Sequence, residues 1–317
     1  MSRSARLSNS PLPVIRTPLG VALITLLLQL LPSSLHAQTW TIKFAPGPKA
    51  GRQVLACESR DLSVDFLVQH AWCVSRIRHR GEVVGQPSGA TGCVITWNGK
   101  ATGTGHGGEV VRDITLTVNG KATPLLVDGA PRYNVESDAW SGNEVILLKR
   151  SVIGPFNHEA EFHLPAGGDH YTVEHRYQVN SEWPKGKITG YAYIFMHMMP
   201  TGFTEWLLEK DDGSAKSGAL NGAKGYAFQD EPFRALACYA PEKHLGIAYI
   251  YLRESNLLNH LLDRGDEDRK FRASLAKREG YAVGDTFAYQ MKVVPFTAAP
   301  ADWKVATKAI IRETRKP

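Results

Sequence analysis

The sequence predicts an all-β fold: an antiparallel supersandwich of two large sheets with a short C-terminal helix. Three observations carry this expectation. From Gln38 onward, short runs alternate apolar and polar residues, the period of a half-buried strand. Examples are Trp40 to Phe44, Leu62 to Val68, Cys93 to Trp97, Ile114 to Val118, Glu144 to Val152, His158 to Leu164, Phe233 to Tyr239, Gly246 to Leu252 and Thr286 to Val294. Turn signals recur between them, among them Asn98-Gly99, Asn119-Gly120, Asp128-Gly129 and Asp212-Gly213, and Asn-Gly and Asp-Gly suit the type I′ hairpin turn. Helical spacing is scarce. Leu257 to Leu262 could form a turn or two of helix, and Asp302 to Arg312, after Pro300, carries Trp303, Ala306, Ala309 and Ile310 at helical spacing.

The chain has 317 residues, of which 43% are hydrophobic and 21% charged, the balance of a folded protein rather than a disordered one. Residues 1–37 read as a secretory signal peptide. Arg3, Arg6 and Arg16 precede the apolar run Leu19 to Leu31, and Pro32 to Ala37 offers a small-residue cleavage site. The run is about 13 residues, short of the ~20 that span a bilayer. The expectation is therefore a secreted or periplasmic protein of residues 38–317 in one domain, with no membrane attachment after cleavage. Those three arginines account for half of the formal net charge of +6. What remains is mild and scattered, so nucleic acid is not an expected partner. Cys57, Cys73, Cys93 and Cys238 permit disulfides in an exported protein, with three connectivities open.

Two candidate strands, Tyr171 to Val179 and Ile188 to Met199, carry histidines that could form a site. Asn180 to Lys187 has turn chemistry, so the two strands could pair as a hairpin. His175, taken to lie on the polar face of the first, and His197, at the end of the second, would then converge. Arg176 is expected to point to the opposite face. A third histidine, His106, is flanked by Gly103, Gly105, Gly107 and Gly108, which lets the backbone approach a ligand. Glu205-Trp206, near Phe203, pairs a carboxylate with an aromatic ring, a combination that suits sugars. Trp140, Trp183, Tyr191, Tyr193 and Tyr226 could line the same cleft or fill the core. Glu254 follows the apolar strand Gly246 to Tyr251, where a rigid scaffold presents functional groups. The block Asp263 to Lys270 reads as a solvated loop. No serine-nucleophile elbow, His-Glu-x-x-His or Walker motif is present. His106, His175 and His197 are a set of ligand types that zinc accepts, but neither a metal nor another cofactor is expected.

In their order, four stretches resemble the galactose-mutarotase-like superfamily, which includes aldose epimerases and β-supersandwich domains of carbohydrate enzymes. They are His106-Gly107 with Arg112, the strand Tyr171 to Asn180 with its Pro-containing sequel, Phe195-Met196-His197, and Ala282 to Phe287 leading into the strand to Val294. Met198-Met199-Pro200 departs from the family's aromatic-Phe-Asn sequel, and the surroundings of Glu254 differ from those of the family's base. The resemblance implies a carbohydrate ligand and epimerase or mutarotase chemistry. His197 would act as the acid, Glu254 as the base and His175 as an assistant, with His106 and Arg112 holding hydroxyls. The alternatives are a polysaccharide lyase, in which Arg112 neutralises a uronate carboxylate, and a non-catalytic glycan-binding envelope protein. The sequence does not choose a sugar, a linkage or an oligomeric state.

Overall fold

A computed structural model describes residues 39–86, 94–97, 100–104, 106–181, 192–253, 257–275 and 282–315. The leader 1–37, Cys93, Asn98-Gly99, Trp183, Tyr191 and Glu254 lie outside the described residues. One sheet has eleven strands in the order β10 (Ala130–Pro131), β9 (Lys121–Val127), β8 (Glu109–Val118), β12 (Val145–Ile153), β13 (Phe156–Leu164), β14 (Tyr171–Val179), β23 (Thr286–Thr297), β20 (Leu245–Tyr251), β19 (Ala235–Ala240), β16 (Glu205–Glu209) and β17 (Ala215–Ala219). A six-stranded sheet runs β11 (Ala139–Gly142), β1 (Trp40–Pro46), β2 (Gln53–Glu58), β3 (Leu62–Leu67), β4 (Cys73–His79) and β5 (Glu82–Gly85). A second six-stranded sheet runs β18 (Gly225–Glu231), β21 (Leu257–Asp263), β22 (Arg269–Leu275), β15 (Ala192–Met199), β6 (Val94–Trp97) and β7 (Lys100–Gly103).

The two smaller sheets meet where the Gln86 amide donates to the Met198 carbonyl, 2.8 Å away. Both cover the same face of the large sheet. Phe66 of β3 meets Phe162 of β13 edge-on at 5.0 Å, and Phe195 of β15 meets Tyr289 of β23 at 6.3 Å. The second layer of the expected sandwich is thus two sheets rather than one, and the named strands pair antiparallel. The turn chemistry behaves as expected: Asn119-Gly120 and Asp128-Gly129 hold positive φ at both positions, the requirement of a type I′ turn.

Three expectations need correction. Residues 257–262 form a strand, not helical turns: β21 pairs with both β18 and β22, and the alternate Leu257, Asn259 and Leu261 are buried. The strands carrying His175 and His197 do not form a hairpin. β14 pairs with β13 and β23, whereas β15 pairs with β22 and β6 in another sheet. The block Asp263 to Lys270 is a tight β21–β22 connection, with Asp263 and Arg269 forming a buried ion pair at 2.8 Å.

The helix α1 (Trp303–Thr314) lies on the outer face of the large sheet, burying Trp303, Thr307 and Ile311 at spacing four. Trp303 stacks on Tyr239 at 5.0 Å, and its indole N–H donates to Glu205 at 2.7 Å. No described helix is long and apolar enough to cross a membrane. Cys57, Cys73 and Cys238 are buried and unpaired, and burial pushes the Cys73 thiol up to about 12. We expect Trp303→Ala to cost about 3–5 kcal/mol, because it removes a buried aromatic and orphans a partly covered carboxylate. Urea unfolding checks this as a lower midpoint at unchanged slope.

Candidate functional site

Five adjacent strands of the large sheet, β8, β12, β13, β14 and β23, present alternating faces, apart from one bulge in β8. On one face Leu147, Lys149, Ser151, His158, Ala160, His175 and Tyr177 are buried beneath the smaller sheets. On the other, which α1 leaves open, two cross-strand rows line a groove of about 790 Å³. One row is charged, in register Asp113, Arg150, Glu159, Arg176 and then Ala288. The next is neutral: Val152, Asn157, Gln178 and Thr286. A bulge opposite Arg150 and Ser151 lets the consecutive residues Arg112 and Asp113 both reach the groove.

The charged row is held rigidly. Glu159 accepts from Arg176 at 2.6 Å and from Arg150 at 2.9 Å. Partial burial raises the Glu159 carboxyl, but hydrogen bonds from Arg150 and Arg176 outweigh it and hold the group below the usual carboxylate range. Arg176 also forms a two-pronged pair with Glu174, both contacts at 3.0 Å. Arg112 has no ion-pair partner among the described residues. The groove thus offers fixed donors, fixed acceptors and one uncommitted guanidinium.

Behind this floor, on the sealed face, lies a buried polar chain. Lys149 donates to Glu109 at 2.7 Å and to the Ala71 carbonyl at 3.0 Å. The Thr104 hydroxyl bonds to the other Glu109 oxygen, and Ser151 donates to Glu109 at 2.9 Å. Ser151 meets His158 Nδ1 at 3.0 Å, and His158 Nε2 meets His175 Nδ1 at 2.9 Å. The Ser151 proton is committed to Glu109, so His158 donates through Nδ1 and accepts at Nε2 from His175 Nδ1–H. Both imidazoles are then neutral. Burial lowers both pKa values, with neighbouring Lys149 adding to the effect on each. Burial raises Glu109, but Lys149 and His158 outweigh it and hold the carboxyl well below its usual range.

The sequence-predicted residues are not gathered into one cleft. His175 shares parity with Tyr171, Val173 and Tyr177, and so faces the core rather than the polar side of its strand. His197 is fully buried against the Tyr249 hydroxyl, and burial pushes its imidazole down to about 3. Neither has access to solvent for the acid or assisting role. Trp206 packs in the core against Phe228 at 5.3 Å, and Glu205 is occupied by the α1 indole. His106 is exposed on the glycine loop. Of the site residues named from sequence, Arg112 lines the groove, while Glu254 lies outside the described residues. The residues missed were Arg150, Asn157, Glu159 and Gln178. Their signal was opposite charges at matching period-two positions of neighbouring strands. Among the described residues, no three His, Cys, Asp or Glu side chains group as a metal site.

No family model and no curated protein sequence matches the chain. Solved structures are similar to it in strand arrangement. A TPR-domain containing protein from Parabacteroides distasonis shares 11% identity at a TM-score of 0.47, over 78% of this chain and 48% of its own. The GH36 α-galactosidase from Geobacillus stearothermophilus shares 10% at 0.46, over 81% of this chain and 41% of its own. A protein named as a putative aldose 1-epimerase, from Klebsiella pneumoniae, shares 10% at 0.44, over 88% of both chains. This chain thus spans under half the length of the first two. At this identity and score the likeness extends to no residue of the site.

The buried chain makes stability depend on pH with a definite sign. The folded imidazoles of His158 and His175 sit below their unfolded value of about 6.5, so the unfolded state takes up protons first as pH falls. Glu109 adds a second loss below its unfolded value of about 4.5. We expect unfolding free energy to be level above pH ~6.5 and to fall progressively below it. Replacing His158 and His175 with Gln should lessen the first part of that fall in a pH series of thermal midpoints, with the sealed His197 keeping its own share.

Proposed function

We propose that the chain binds a saccharide in the groove on the open face of its large sheet. The observation that carries this reading is the pair of in-register rows. Asp113, Arg150, Glu159 and Arg176 alternate acceptors and donors, and Asn157, Gln178 and Thr286 add amides and a hydroxyl beside them. A sugar presents hydroxyls that both give and take hydrogen bonds around an apolar ring face. Fixed groups of both kinds beside Val152 and Ala288 suit it, and a groove of about 790 Å³ falls within the ordinary range of small-ligand sites. The sequence resemblance to the galactose-mutarotase-like superfamily points to the same ligand class.

The geometry supports binding ahead of turnover. General acid–base catalysis needs a group that exchanges protons near working pH and can reach the ligand. Glu159 is held ionised by two arginines, while His175 and His197 are sealed. The epimerase scheme therefore loses His197 as its acid and His175 as its assistant. Export through the leader 1–37 belongs to the same proposal, and would place the groove where glycans of a cell envelope or its surroundings meet it.

Titration calorimetry against a panel of neutral and acidic oligosaccharides tests the reading. Saturable binding of at least one is expected, with no change in the sugar recovered. Ala288→Trp should fill the groove and abolish binding while leaving the thermal midpoint nearly unchanged. Arg112→Ala should weaken binding at least tenfold, since a hydrogen bond to a charged group contributes about 1.5–3 kcal/mol. Binding that survives Ala288→Trp, or isomerised or cleaved sugar in the recovered ligand, would sink it.

A further inference from the structure

A second place on the molecule sets two cations beside two histidines, independently of the groove. Lys49 and Arg52 come from the β1–β2 turn, His70 ends the 3-10 turn Val68–His70, and His106 sits on the glycine loop. Arg52 donates from Nη1 to His70 Nε2 at 2.9 Å. A guanidinium only donates, so His70 accepts there and is neutral. Burial, and then the charges of Arg52, Lys49 and His106, hold the His70 imidazole below its usual value. Of these groups Lys49 and Arg52 are charged at neutral pH, and none is a carboxylate. The loop's one carboxylate, Glu109, is turned inward onto Lys149 and Thr104. Neither Lys49 nor Arg52 has an ion-pair partner among the described residues.

Beside this cluster lies a pocket of about 360 Å³ lined by Phe44, Pro46, Arg52, Gln53 and Val135. Tyr133 stacks on Phe44 at 4.5 Å behind its wall. The buried pair Lys149–Glu109 fixes the segments that carry the histidines. Lys149 holds the Ala71 carbonyl just after His70, and Glu109 anchors Thr104 just before the His106 turn. Ala71 and Trp72 are held at φ 53° and 55°, a costly conformation for two consecutive non-glycine residues. Two cations without ion-pair partners, set against a histidine held in place at such cost and beside a cavity, point to an anionic ligand.

We propose that this cluster binds a phosphate or sulfate group carried on a small organic body. Arg52, Lys49 and His70 hold the oxyanion, and the body rests against Phe44, Pro46 and Val135. Binding takes up a proton. Once protonated, His70 can no longer accept from Arg52, so both side chains turn their donors to the anion and form charge-assisted bonds.

Inorganic sulfate and inorganic phosphate, titrated separately into the whole protein at low ionic strength, test this. Sulfate stays a dianion between pH ~5.5 and ~8, so any pH dependence of its affinity comes from the protein, and the affinity should rise severalfold toward the acid end. The ion bound more tightly at neutral pH identifies the source group. Arg52→Gln should lose at least tenfold in affinity, at an unchanged circular dichroism spectrum. Should that variant fold poorly, the ring-proton titration of His70 in the unmodified protein decides. Saturating sulfate should raise the His70 pKa by about one unit, which corresponds to a tenfold gain once the pH lies below both values. No saturable binding of either ion, equal binding by the folded Arg52→Gln variant, or a His70 titration that sulfate leaves in place overturns the proposal.

Discussion

The buried pair Lys149–Glu109 is the interaction on which the local architecture rests. A lysine and a glutamate removed from water are costly unless each finds its partner and further hydrogen bonds. Here both do. Glu109 takes bonds from Lys149, Ser151 and Thr104, and Lys149 spends a second donor on the Ala71 carbonyl. The pair therefore ties the start of β8, the middle of β12, the loop before β8 and the turn that follows His70. These segments are far apart in sequence, and no backbone ladder joins the turn after His70 to β12. Removing either partner would leave the other charge buried, which typically costs several kcal/mol.

The same five strands serve two purposes because strand geometry separates them. Alternation sends Lys149, Ser151, His158 and His175 beneath the smaller sheets and Arg150, Asn157, Glu159 and Arg176 into the open groove. Adjacent residues, such as Glu159 and His158, thereby face opposite environments. A one-residue slip would place arginines in the core and an imidazole pair in solvent, so the hydrophobic pattern fixes the register strongly. The imidazole and phenol rings of the sealed face stack across strands, His158 on Tyr177 at 4.6 Å and His175 on Tyr289 at 4.9 Å. The groove floor is stiff because what lies behind it is close-packed.

Much of this was legible one strand at a time. The alternating runs gave the strands, Asn119-Gly120 and Asp128-Gly129 gave the hairpins, and Pro300 with Asp302 marked the start of α1. Pairing was not legible, because it is a relation between distant segments: β14 finds β23, more than a hundred residues on, and not the strand that follows it. The face of His175 was in fact readable. It shares parity with Tyr171, Val173 and Tyr177, and a polar residue type masked an apolar position. Arg112 was legible through the resemblance of His106-Gly107 with Arg112 to a family segment. The ladder Asp113–Arg150–Glu159–Arg176 exists only once four strands are in register, so no single segment displays it. The run 257–262 misled because Leu-Leu-Asn-His-Leu-Leu fits both periods, and its partners β18 and β22 decided in favour of the strand.

Backbone strain separates ordinary turn chemistry from something held in place. Asn119 and Asp128 adopt positive φ where a two-residue hairpin demands it, and each is followed by glycine. Ala71 and Trp72 differ from them. Neither has a short polar side chain to ease the left-handed conformation, and the glycine that would ease such a turn is absent. Their turn closes with the Trp72 amide donating to the Leu67 carbonyl at 3.0 Å, while the intervening Ala71 carbonyl is taken by a buried ammonium. A relaxed turn would need no such clamp. Strain of about 1–3 kcal/mol per residue persists only where the surroundings over-determine it. Here the surroundings are an ion pair that also anchors the loop bearing His106. The two histidine-bearing segments are thus positioned by one buried charge pair rather than by their own sequences, which explains how His106 comes to bear on His70, 36 residues before it in the chain.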